Sequence, residues 1–79
     1  MTRRTLLVLA SASGHAPLVD ALIARRADLN AQDAGGLTAL MLATASNDVS
    51  VIGRLLSAGA DTALRDAWGE TASDWAEAK

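Results

Sequence analysis

Seventy-nine residues with a mass of 8.1 kDa allow one domain, and the absence of cysteine excludes disulfides and thiolate metal sites. A net charge of −2 gives no electrostatic attraction for phosphate backbones, which argues against a nucleic acid partner. Half the residues are apolar (51%) but only 3% are aromatic, so the core is built from Leu, Val, Ile and Ala in closely packed helices.

The chain begins with a predicted helix over 4–12. Its apolar run from Leu6 to Ala12 follows Arg3-Arg4, in the manner of a secretory leader. The run is short, however, and Leu7, Leu9, Ala10 and Ala12 recur later as Leu40, Leu42, Ala43 and Ala45, so it reads as the first helix of the fold. Leu7 and Leu9 are taken as inward-facing, with Leu6 and Val8 left uncovered beside them. Gly14-His15 closes this helix, and a second is predicted over 16–25, carrying Leu18, Val19, Leu22 and Ile23 inward. Pro17 falls in its first turn, where a missing N–H costs nothing. Arg26 follows at a position that favours a left-handed residue, and Asp28 to Leu37 forms an extended turn.

Thr38 can cap a third helix, predicted over 38–46, and Asp48 a fourth, predicted over 49–58 with Val51, Ile52, Leu55 and Leu56 on one face. Gly59 terminates it. Asp61 to Gly69 makes a second extended turn with Trp68 near its tip, and a fifth helix is predicted over 71–78. No run approaches the roughly 20 apolar residues that a membrane span needs.

These elements repeat at a lag of 33 residues. Thr5, Thr38 and Thr71 obey it, as do Asp33 and Asp66, Gly36 and Gly69, Leu22 and Leu55, and Ala27-Asp28 with Ala60-Asp61. Roughly a third of the positions paired at this lag are identical, with no gap, which marks a repeat architecture. The period, the D-x-x-G-x-T opening of each unit, T-A-L-M-L-A at 38–43, G-H at 14–15 and L-L-S-A-G-A-D at 55–61 together resemble the ankyrin repeat. The resemblance covers essentially the whole chain. It implies an all-α solenoid of antiparallel helix pairs joined by extended turns. Residues 1–32 would be an incomplete first repeat, 33–65 a complete one and 66–79 a partial last one.

Candidate chemistry is sparse. His15 is the one histidine, and at the family's G-H position the imidazole is structural. No cysteine, second histidine or patterned carboxylate pair accompanies it, so no metal site, cofactor site or nucleophile–base pair can be assembled. Ser11 and Ser13 lie near His15 without an orienting acid, and Gly35-Gly36 lacks the Lys-Ser/Thr of a phosphate loop. Asp28, Asp33, Asp61 and Asp66 read as caps and turn formers.

The resemblance implies a non-catalytic protein-binding module whose concave surface combines turn tips with the ends of the first helices. The matching positions are Ala34, Gly35, Leu37, Ala45 and Ser46, then Ala67, Trp68, Glu70, Ala78 and Lys79. Met41, where the family usually has histidine, is expected to face the same groove. Leu37, Met41, Ser46, Trp68 and Glu70 are therefore the candidate partner-binding residues, with Trp68 either presented to a partner or folded back over Leu37. Trp75 aligns with Leu9 and Leu42 and is expected to seal the last unit. The competing expectation is an assembly element that forms a homodimer through Leu6 and Val8, or stacks on a larger ankyrin chain. The partner is expected to be a protein, neither nucleic acid nor membrane, and the location cytoplasmic.

Overall fold

The computed structural model describes residues 3–77, and within them the chain forms helices and turns with no strand. The helices are α1 (Arg3–Ala12), α2 (Ala16–Ala24), α3 (Ala39–Ala45), α4 (Val49–Ser57) and α5 (Ala72–Glu77). Each described boundary lies within one residue of its expected place; the expected end at 78, with Ala78 and Lys79, lies outside the described residues.

The helices start where side chains can satisfy free backbone donors. Thr38 Oγ1 accepts the Met41 N–H at 3.2 Å, and Met41 Sδ accepts the Thr38 N–H at 3.4 Å. One repeat on, Thr71 Oγ1 accepts the Asp74 N–H at 3.3 Å while Asp74 Oδ2 accepts the Thr71 N–H at 2.9 Å. His15 Nδ1 accepts the Leu18 N–H, and Asp48 Oδ1 accepts the Val51 N–H, each at 3.2 Å. The imidazole is thus a cap, in the place of the aspartate one repeat later.

Backbone handedness repeats with the same period. Gly14 and Asn47 (φ 69° and 57°), Arg26 and Gly59 (60° and 95°), and Gly36 and Gly69 (77° and 80°) are three pairs of left-handed residues. A Cβ in this region costs about 1–2 kcal/mol, partly offset by the entropy glycine loses on folding. Arg26→Gly is therefore expected to raise stability by a few tenths to about 1 kcal/mol, read as a higher denaturation midpoint. A lower midpoint would mean that the arginine side chain holds the turn.

The helices pack in two rows. α1, α3 and α5 lie side by side in one; α2 and α4 form the other, joined to it by the α1–α2 and α3–α4 hairpins. Leu7, Val19, Leu22, Leu40, Met41, Val51 and Leu55 fill the space between, and Ala10, Ala39, Ala43 and Ala72 keep the backbones close. Across the outer row Arg54 Nε meets Asp20 Oδ1 at 2.8 Å, an exposed pair worth no more than about 1 kcal/mol.

Two expectations for α1 are corrected. Val8 is buried, only 5% exposed, whereas Leu9, expected inside, is 48% exposed; Leu6 is 38% exposed. Setting Leu7 and Leu9 against Leu6 and Val8 applies the two-residue period of a strand to a helix. At 3.6 residues per turn, Ala10, Leu7, Ser11 and Val8 share one arc, which is the buried one. Leu6 and Leu9 lie opposite.

Candidate partner-binding surface

The surface is built on two turns that are copies of each other. Asp33 Oδ1 accepts the N–H groups of Gly35 and Leu37, both at 2.9 Å, and Asp66 Oδ1 accepts those of Trp68 and Glu70 at the same distance. Each aspartate closes its turn through its own backbone as well: the Asp33 N–H reaches Leu37 O at 3.0 Å and the Asp66 N–H reaches Glu70 O at 2.9 Å. The turns are then tied together. The Ala67 N–H donates to Gly35 O at 2.9 Å, and the Gln32 amide donates to Gly36 O at 2.8 Å and to Arg65 O at 2.7 Å. Arg65 Nη1 donates to Gly69 O at 2.7 Å, which repeats the Gln32–Gly36 bond one unit later.

Asp66 is the hub. Besides its turn donors it receives Trp75 Nε1–H on Oδ2 at 3.0 Å, which links the turn to α5. The Glu70 N–H outweighs burial, which pushes the carboxyl up; with the Trp75 indole and the Trp68 N–H, it holds Asp66 below the ordinary value of 3.8. The bond also orients position 75 toward the turn. Leu9 and Leu42 occupy the same position in the earlier repeats, Leu9 exposed and Leu42 half-buried.

The candidate residues fall into three groups. Trp68 is 75% exposed on a turn whose backbone is fixed, and Glu70 is exposed two residues on. Leu37, half-buried, packs against the core beneath, and Ser46 is exposed at the far end of α3, roughly 13 Å away along the helix axis. Ser46 Oγ donates to Ala12 O at 3.4 Å. Met41 does not face the groove: it is 1% exposed, and its thioether serves as the cap acceptor that Asp74 provides in α5. Leu42, the next residue in α3, is half-buried. Gln32 also went unforeseen, because its counterpart Arg65 differs in type and the 33-residue comparison marks only identities.

Among the described residues no cluster of three or more His, Cys, Asp and Glu could hold a metal ion, and no helix is long and apolar enough to cross a membrane. Two rows of short helices, stacked at a fixed interval and bridged by aspartate-closed turns, define a helical repeat solenoid. The chain belongs to the ankyrin-repeat family: the family model for ankyrin repeats, in three copies, matches residues 2–77. Ankyrin repeats are in general protein–protein interaction modules and typically non-catalytic. A comparison with curated proteins found no match.

Proposed function

We propose that this chain is a non-catalytic, cytoplasmic binding module that holds a partner protein against its turn tips and inner helices. Trp68 carries the reading. A large apolar side chain is left three-quarters exposed on a turn that Asp66 has made rigid, and tryptophan is among the commonest interface anchors. Glu70 adds a charge beside it, Leu37 and Leu42 continue the apolar strip, and Ser46 ends it. Trp68→Ala is expected to weaken partner binding by more than about 1 kcal/mol while moving the denaturation midpoint by less than the equivalent of about 0.5 kcal/mol. Parallel loss of both would assign the indole to the fold.

A second reading, self-association through α1, is favoured by Leu6 and Leu9. They lie three residues apart on its open side, with Leu22, Arg25 and Ala27 lining a groove beside Leu6. Burying such side chains is worth about 1.5–3 kcal/mol each, enough for weak pairing or for stacking on a longer ankyrin chain. Light scattering over a dilution series is expected to show a dimer that a Leu6→Glu, Leu9→Glu double variant loses. A parent that stays monomeric when concentrated ends this reading.

A further inference from the structure

Resting on the reading that Trp68 anchors a partner, we propose that the partner segment is basic and stacks an arginine on the indole while pairing it with Glu70. Charge is divided along the chain. Residues 1–32 hold four arginines against two aspartates, a net +2, and residues 33–79 hold seven acids against three bases, a net −4. The stretch that carries Trp68 is part of the negative region. Within residues 65–75, Asp66, Glu70 and Asp74 stand against the single guanidinium of Arg65. Asp66 and Asp74 are bonded to N–H groups of Trp68, Glu70, Thr71 and Trp75, all of them neutral donors. These bonds hold the carboxylates in place without cancelling their charge. The Glu70 N–H, chief among the donors to Asp66, keeps that carboxyl below its ordinary value of 3.8 and so ionised at neutral pH. Arg65 donates to Gly69 O, and the one ion pair among the described residues is Arg54–Asp20, on the outer helix row. No base among the described residues therefore closes on Glu70, which is exposed.

The turn sets the indole and the Glu70 carboxylate side by side. One oxygen of Asp66 receives the N–H groups of positions 68 and 70, each at 2.9 Å, so both side chains spring from backbone held around a single point. Trp68 is three-quarters exposed, which leaves a ring face open to an incoming group. A guanidinium matches this pair. Its flat face stacks on an indole while the N–H groups along its edge bond a carboxylate, a combination that the compact ammonium of lysine does not offer. An acidic segment would meet like charge across the whole turn. A neutral apolar segment would cover the indole but take the Glu70 carboxylate out of water without a partner, which opposes binding. The division of charge also orients the partner, with its basic residues over the last repeat.

The test pans a phage-displayed library of random dodecapeptides on the full chain, beside its Trp68→Ala and Glu70→Lys variants. Both replaced side chains are exposed, so both variants are expected to keep the parent's melting curve. Peptides selected by the parent are expected to be enriched in arginine and to bind either variant about ten-fold more weakly or worse. Citrulline in place of the arginine, which keeps the shape and removes the charge, is expected to cost the peptide as much. Their affinity is also expected to fall as salt is added. Peptides that need Trp68 but show no excess of arginine, or that lose nothing on Glu70→Lys, overturn this proposal and leave the Trp68 surface standing. Peptides that bind the Trp68→Ala chain as well as the parent, or a library that yields no binder, overturn both.

Discussion

Gly36→Ala is expected to lower stability by about 2–4 kcal/mol, far more than the same change at Gly69. Both glycines are left-handed, at φ 77° and 80°, so both substitutions carry the strain of a Cβ in that region, about 1 kcal/mol or somewhat more. Only Gly36 adds a collision. Its Cβ would stand 2.8 Å from the Ala67 nitrogen and 3.0 Å from the Asp66 carbonyl carbon and Cα. These are backbone atoms held by the Ala67–Gly35 bond and the Asp66 turn, so they cannot swing aside as a flexible side chain would. A Cβ on Gly69 meets nothing within 4 Å. Urea denaturation of the two variants separates strain from contact. Equal midpoints would mean that the two turns do not touch as described.

Asp66→Ala is the second large effect, because one carboxylate serves two backbone donors and the Trp75 indole. Without it, the second turn and α5 are expected to come loose together, with α5 amides exchanging as in an unfolded segment while α3 stays protected. Acid is expected to do the same reversibly. The folded carboxyl titrates below its ordinary value of 3.8, chiefly because of the Glu70 N–H, so the unfolded chain takes up the proton first on acidification. The stabilisation is complete above that value and is lost as the pH falls from there through the lowered one. In Asp66→Asn that part of the acid sensitivity is expected to disappear. A variant that unfolds along the parent's acid curve would assign the sensitivity to other groups.

What could be read in advance was whatever the backbone demands of particular residue types. A left-handed turn needs glycine or tolerates asparagine, and a free N–H at a helix start needs Thr, Asp or an equivalent acceptor. Asp33 and Asp66, Thr38 and Thr71, and Gly36 and Gly69 therefore appear at a fixed lag, and the structure puts each pair to the same use. The rotation of α1 was hidden because Leu6, Leu7, Val8 and Leu9 are all apolar and carry no phase; Ala10 and Ser11, both buried, hold that information. Met41 misled for a different reason. A thioether at the third helical position can act as a cap acceptor, which composition does not suggest. At the candidate surface, the turn location of Trp68 was legible and its exposure was not, since an indole at a turn tip can fold back. The direction of Trp75 became visible only through its bond to Asp66.

The binding face can be mapped directly by placing a photo-crosslinking phenylalanine analogue at one position at a time in the full chain and irradiating it in native lysate. Position 68 on the turn tip and position 46 at the end of α3 are expected to trap the same protein. Position 57, exposed on the outer helix row, is expected to trap none of it. Capture of that protein from position 57 alone, or equally from all three, would contradict a partner held against the turns and inner helices.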